Sequence, residues 1–435
     1  MSKIDSSTQP TYHNSSTRVC IASLVGTTIE FFDFYIYATA AVLVFPHLFF
    51  PIDSDSAATL KSLVVFAVAF IARPIGAALF GHLGDRIGRK STLVIALLLM
   101  GLSTVCIGLL PTYAQIGIAA PFLLALCRFG QGLGLGGEWG GAILLATENA
   151  PANKRAWYGM FPQLGIPLGF ILATLFFILL GTVMSNQAFL QWGWRIPFIS
   201  SALLVLLGLY IRISLHETPA FQQLLHAEKK VNVPLKDVFT KHGKTLFLGT
   251  MASICTFVLF YIVSVFALNW GTTALGYARS DFLKIQLLST FFFAAFIPLS
   301  AMVSEKYGRK YTYMAICIMT ASFAIALPYF FIAGHIITVT IFLCIGLSIM
   351  GCTCGPMGTI LSEMFPTSVR YTGSGLACTL AAILGASIAP FTATSLAQNF
   401  GLSAVSYYLV AASAISFVAF IFIKETKDTD LNHSS

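Results

Sequence analysis

Twelve apolar runs, each about 18 residues or longer, succeed one another between residues 19 and 423, separated by short polar or charged stretches. They lie near 19–45, 59–82, 91–110, 115–146, 157–183, 195–214, 245–270, 285–303, 311–333, 336–361, 372–396 and 402–423. Hydrocarbon offers no partner to backbone N–H and C=O groups, so an isolated run of this length must satisfy them internally, as a helix. The expected fold class is an all-α membrane protein with twelve transmembrane helices. The fourth run, over 30 residues long, must tilt or project beyond the hydrocarbon. Only 10% of the 435 residues are charged against 57% hydrophobic, too few to cover soluble domains. The same balance excludes a disordered chain, a disulfide-stapled scaffold and a nucleic-acid binder.

The formal net charge of +8 then needs a membrane explanation. Only Lys61, Arg195, Arg279 and Lys284 fall in loops opposite the termini, and Arg73 and Arg128 fall inside spans. The other nineteen of the 25 basic residues, Lys3, Lys229 and Lys230 among them, lie on the side of the termini. By the positive-inside rule both tails are cytoplasmic. The polar N-terminal tail lacks a cleavage site before an apolar core of signal-peptide length, so the first span is read as retained. All nine Cys sit in or at the edges of apolar runs. Cys352-Thr353-Cys354 has no His or acidic partner near it, which favours packing over metal binding.

Two motifs recur at nearly one offset. Gly84-Asp85-Arg86-Ile87-Gly88-Arg89-Lys90 after the second span is echoed by Ser304-Glu305-Lys306-Tyr307-Gly308-Arg309-Lys310 after the eighth. Thr147-Glu148 running on to Arg155 is echoed by Ser362-Glu363 running on to Arg370, and Glu217-Thr218 more faintly by Glu425-Thr426. The expected organisation is a tail at 1–18, a six-helix half at 19–214, a polar linker at 215–244, a second half at 245–423 and a tail at 424–435. Parallel six-helix repeats are the plan of major facilitator transporters, with a midplane site between rocking halves. Asp85, Arg86, Arg89, Glu148, Arg155, Glu305, Arg309, Glu363 and Arg370 are read as a latch. A carboxylate at a helix end can pair with the neighbouring half's helix ends, so that one opening is held shut. Plain positive-inside anchoring explains Arg89 and Lys90, but neither the carboxylates nor the repetition.

An ionisable side chain at the bilayer centre costs at least ~2.5 kcal/mol, which makes each a functional candidate. Glu30 and Asp33 are three apart in the first span and share a helix face with Tyr37; Arg128 stands mid-way along the fourth, one turn before Gln131. Two acids against one base suggest that Arg128 holds one acid ionised while the other, dehydrated, takes up and releases a proton. A static ion pair fixing helix register is the alternative. Arg73, before Pro74, could meet a substrate carboxylate or cap freed carbonyls, the latter being favoured. Glu138 closes a Gly-rich run with the GxGxxG pattern but no strand before it. Glycines 132, 136 and 140 are read instead as a packing face. Gln163, Tyr261 and Asn269 join Arg128, Gln131, Tyr37 and Arg73 as candidate substrate contacts. The second half's spans carry no charge away from their edges and are expected to shape the pocket.

These strings together resemble a known family. Gly26-Thr-Thr-Ile-Glu-Phe-Phe-Asp-Phe-Tyr, Arg73-Pro74, the Asp85 loop, Arg128-Phe-Gly-Gln-Gly, Gly136-Gly-Glu-Trp-Gly-Gly and Trp192-Gly-Trp-Arg-Ile-Pro are similar to the metabolite:proton symporter family of the major facilitator superfamily. Its members include bacterial shikimate, alpha-ketoglutarate, citrate and proline/betaine transporters. The likeness runs from about residue 18 to 428. It implies secondary active transport driven by the proton gradient in a bacterial inner membrane, with Arg128, Gln131 and Gly132 in proton coupling and the Asp85 loop as the conformational latch. Phe31 stands where the family often has Trp, and no heptad-bearing extension follows the last span, which weakens an osmolyte reading.

The expected function is proton-coupled symport of a small organic acid. A zwitterionic osmolyte and a sugar or drug are the alternatives within transport. An enzyme would need a metal set or a nucleophile with a base, and no His lies well inside a span. A channel would need symmetric subunits around a polar stripe, which the two-half repeat does not suggest. Expected partners are the small-molecule substrate, the proton and membrane lipid, with no nucleic acid, no cofactor and no metal, and the functional unit is expected to be a monomer.

Overall fold

The computed structural model describes residues 15–52, 55–226, 233–387 and 389–427. Lys3, Lys229 and Lys230, with residues 1–14 and 428–435 of the tails and 227–232 of the linker, lie outside the described residues. Among the described residues there is no strand. In chain order the main helices are α1 Ser16–Leu43, α2 Asp55–Ile87, α3 Arg89–Leu109, α4 Ala119–Glu148, α5 Arg155–Val183 and α6 Arg195–Ile213. Two short helices, Pro219–His226 and Pro234–Lys241, follow in the linker. The second set is α7 Gly243–Tyr261, α8 Arg279–Tyr307, α9 Arg309–Phe330, α10 Ile336–Glu363, α11 Arg370–Ala382 and α12 Leu402–Phe422.

Among the described residues, ten helices are long and apolar enough to cross a membrane. The other two spans of the twelve are α4, diluted by glycines, Arg128, Glu138 and Glu148, and α11, which passes into a π turn and is followed by the helix Ala389–Phe400. Both α7 and α11 run into a single π turn, Ile262–Phe266 and Ile383–Ser387. In the first, Gln286 of α8 donates to the Ser264 carbonyl at 2.6 Å, which supplies a partner where the helical ladder slips. Leu126, Leu206, Phe291, Ile325 and Val418 are exposed, as lipid-facing side chains are, while Glu30, Asp33, Arg128 and Glu138 within the spans are buried.

The repeat in sequence is a repeat in packing. Helix α2 lies on α4 as α8 lies on α10, and α3 on α6 as α9 on α12; across the halves α2 meets α11 and α8 meets α5. A Cβ at Gly136 would collide with the Arg73 carbonyl, and one at Gly132 would sit 2.6 Å from that of Ala69, so these two glycines bring α4 against α2. Gly140 departs from the expected stripe. It faces Tyr371 and Gly375 of α11, because α4 at that depth borders the other half. Gly88 and Gly308 take φ of 109° and 97°, left-handed values that let the chain turn from α2 into α3 and from α8 into α9.

Candidate functional site

The middle of the first half is polar. Helices α1, α3, α4 and α6 bring together Asp33, Thr104, Gln131, Arg128 and Ser201, all at most 4% exposed. Asp33 accepts from the Ser201 hydroxyl at 2.6 Å and from the Thr104 hydroxyl at 2.8 Å. Gln131 donates to Thr104 Oγ1 at 2.8 Å and accepts from Arg128 Nη1 at 3.0 Å. A hydrogen-bonded line thus runs from the guanidinium to the acid without the two touching. Arg128 lies over the rings of Tyr37 (4.1 Å), Phe66 (4.6 Å) and Phe34 (5.1 Å), and its Nε points to the Phe66 carbonyl at 3.4 Å. Aromatic faces stabilise a cation where water is excluded.

The expected ion pair is absent. No carboxylate lies within 4.0 Å of Arg128 among the described residues, because rings, a carbonyl and an amide surround the guanidinium and hydroxyls serve Asp33. Glu30 is wholly buried, and neither of its oxygens has a hydrogen-bond donor. Arg128 Nη2, Arg73 Nε and the Tyr37 hydroxyl are likewise without partners. Glu30, Asp33, Phe34, Arg128 and Gln131 line one small cavity. Chemically it offers the unused Arg128 N–H to an anion and the dehydrated Glu30 carboxylate to a proton. Arg73 caps no carbonyl through Nε; its charge lies within reach of Glu30, Arg128 and Tyr261. Tyr261 comes from the second half, with its ring 6.5 Å from that of Phe70. Gln163 is 2% exposed and accepts from Trp139 Nε1 at 3.4 Å. Asn269 is exposed, about two turns beyond Tyr261, and stands apart from the cluster.

A second cluster closes the basic end of the bundle. Asp85 accepts from the backbone N–H of Tyr371 (3.2 Å) and Thr372 (2.9 Å) and from the Thr372 hydroxyl (2.8 Å), capping α11. Glu305 does the same for α5, accepting from the N–H of Ala156 at 2.7 Å and Trp157 at 3.3 Å. Each carboxylate therefore sits on a helix N-terminus of the opposite half, where unpaired N–H groups and the dipole favour an anion. Arg89 bridges Asp85 and Glu148, both at 3.4 Å, and donates to the Thr367 carbonyl at 2.9 Å. Arg309 bridges Glu305 (3.1 Å) and Glu363 (3.2 Å). Glu148 reaches Arg370 at 3.0 Å, and Glu363 reaches Arg155 at 4.0 Å. Arg86 is exposed and makes no ion pair among the described residues, since it points out of the turn that holds Asp85.

Several contributors were not singled out from sequence. Thr104 and Ser201 are ordinary helix residues until α3 and α6 pack on α1. The Thr218 and Thr426 hydroxyls donate to Glu148 at 2.6 Å and Glu363 at 2.7 Å. Glu217 and Glu425 accept from the N–H groups of Lys90 and Lys310, at 3.2 and 3.1 Å; burial pushes the Glu217 carboxyl above its usual range. The repeated Glu-Thr pair is the signal that marks all four. Arg212, one of the nineteen basic residues counted on the side of the termini, is 2% exposed and pairs with Glu138 of α4. A carboxylate this deep in an apolar helix requires such a partner.

The family model for sugar (and other) transporters matches the chain twice, over residues 19–230 and 223–435. The inner membrane metabolite transport protein YhjE of Escherichia coli K12 is 52% identical over 96% of each chain. The shikimate transporter of the same organism is 36% identical over 94% of this chain and 95% of its own. The solved major facilitator proton:xylose symporter XylE superposes with a TM-score of 0.76 at 21% identity, over 96% of this chain and 98% of that one, which supports the fold. Two matches of one model, one for each half, together with a site of charges buried between spans and relatives that are transporters and not enzymes, establish that the chain belongs to the sugar (and other) transporter family, with the major facilitator fold.

Proposed function

We propose that the chain imports a small organic acid together with a proton across the bacterial inner membrane. The carrying observation is the buried cluster in which Arg128 and Glu30 both keep unused polar atoms. A substrate carboxylate would complete Arg128, and a proton on Glu30 or Asp33 would cancel the added charge, so that only the doubly loaded site rocks cheaply. The printed names of the relatives, a metabolite transport protein and a shikimate transporter, agree with an oxygen-rich anion. Tyr261 and Arg73 are proposed to line the pocket from either half, with Tyr37 and Gln131 orienting Arg128 and Gln163 at the edge.

The basic end is proposed to face the cytoplasm, with both tails there, 215–244 linking the halves and one chain as the functional unit. In that orientation the Asp85 and Glu305 clusters form the latch of a state closed toward the cytoplasm. Uptake into inside-out-free vesicles or proteoliposomes under an acid-outside gradient tests the reading, using a panel of mono-, di- and tricarboxylates, shikimate, proline and betaine. Accumulation of a carboxylate, abolished by a protonophore, is expected. Accumulation untouched by the protonophore would refute the coupling, and selective uptake of betaine would transfer the function to an osmolyte.

A further inference from the structure

The carboxylate of Glu138 lies outside the substrate site and takes no part in the mechanism above. It stands ten residues beyond Arg128 on α4, about 15 Å nearer the basic end, and is wholly buried. One oxygen pairs with Arg212 of α6, whose Nη1 also donates to the Leu93 carbonyl at 2.9 Å; the other, Oε2, has no donor. The Arg212 guanidinium fits against α1 at Gly26, where any Cβ would collide with it. Gly26, Glu30 and Asp33 follow at intervals of about one turn up α1. Ascending from the basic end, the acids are therefore Glu138, Glu30 and Asp33, and the charge of Glu138 acts on both of the others.

Next to Glu138 on α4, a residue of the other half packs in. Tyr371 of α11 inserts its ring into a notch made by Gly84 of α2 and Gly140 and Gly141 of α4, where a Cβ at Gly84 or Gly141 would collide with it. Its hydroxyl donates to the Gly137 carbonyl at 2.6 Å, and its neighbour Thr372 is the residue that Asp85 holds. Separation of the halves at this end withdraws Tyr371 and uncovers the floor of the notch.

We propose that Glu138 is the exit carboxylate for the transported proton and that Tyr371 is its cover. This rests on the proton-symport reading above. The O–H bond of a protonated Glu30 breaks as one forms at Glu138 Oε2, returning Glu30 to carboxylate; Glu138 then gives the proton to cytoplasmic water once Tyr371 has left. Arg212 restores the ionised form. The charged and titratable groups facing this step are Glu30 and Asp33 on α1, Arg73 on α2, Arg212 on α6, and Tyr371 and Cys378 on α11.

Infrared difference spectra of the purified full chain in lipid, recorded on a pH jump without substrate, read the carboxyl stretch directly. Glu138→Gln is expected to lose one titrating carboxyl component, Glu138→Asp to keep it at a shifted position, and Tyr371→Ala to speed its hydrogen–deuterium exchange. An unchanged spectrum in Glu138→Gln overturns the proposal, since Glu138 would then stay ionised beside Arg212. With the panel compound that wild type accumulates, Glu138→Gln should keep exchange of labelled for unlabelled compound and lose gradient-driven accumulation. Intact accumulation would overturn the exit role and leave symport standing. Failure of wild type to respond to a proton gradient would remove the symport reading instead, while the infrared result still reports on Glu138.

Discussion

Gradient-driven uptake falls by more than about 30-fold in Arg128→Ala and is not rescued in Arg128→Lys. Truncating one partner of a buried charge pair costs about 2–5 kcal/mol, which corresponds to about 30-fold or more in binding or rate. In the Arg128→Ala site the proposed substrate carboxylate would meet only Tyr37, Gln131 and more distant Arg73. Lysine keeps the charge but not the planar fork, and the present guanidinium lies over the Tyr37 and Phe66 rings while one arm holds Gln131. Initial uptake rates in proteoliposomes measure the effect, with thermal unfolding of each variant showing that the bundle remains folded. Uptake in Arg128→Lys equal to wild type would assign Arg128 a purely electrostatic role.

The second large effect is conformational. Asp85→Asn keeps the shape of the side chain but exchanges a carboxylate that receives three hydrogen bonds for an amide with a single acceptor oxygen. Hydrogen bonds to a charged group contribute about 1.5–3 kcal/mol. Losing that much from the closed side shifts the two-state equilibrium by roughly 10- to 150-fold toward opening at the basic end. Spin labels at Lys154→Cys and Lys306→Cys, exposed positions on opposite halves, would report the separation in a background with the accessible native cysteines replaced. Glu305→Gln, which uncaps α5, should move the same distance distribution in the same direction, because the two capping carboxylates are repeats of one another. A distribution unchanged in both variants would mean that the ion pairs of Arg89 and Arg309 hold the ends without them.

The twelve spans and their pairing into two halves were legible because each depends on a local property: run length for the helices, and repetition of a loop string for the halves. The charged loop residues that meet at the basic end were legible for the same reason, as was the Glu-Thr echo whose members bond to Glu148, Glu363 and the starts of α3 and α9. Facing was harder. Arg128 and Asp33 meet at one depth, as their positions along α1 and α4 require, yet they communicate through Gln131 and Thr104, and nothing in a sequence sets the rotation that makes this so. Asn269 and Arg212 failed in opposite directions. Asn269 is a polar residue in a span that faces outward near its end, and Arg212 is a basic residue at a helix end that folds inward to Glu138. Side-chain reach, about 6–7 Å for an arginine on the scale of one helical turn, is enough to move a charge from loop to core.

The central claim is that Glu30 or Asp33, the buried carboxylates of α1, carries the proton that drives uptake, and Glu30→Gln and Asp33→Asn measured side by side test it most directly. Vesicles loaded with unlabelled compound and then given labelled compound report exchange, which needs binding and rocking but no net proton movement; an imposed acid-outside gradient reports accumulation. The account predicts that both variants retain exchange, Asp33→Asn because an amide can still bond to Thr104 and Ser201, and that accumulation above equilibrium disappears in at least one of them. Protonophore-sensitive accumulation at the level of wild type in both variants would contradict it.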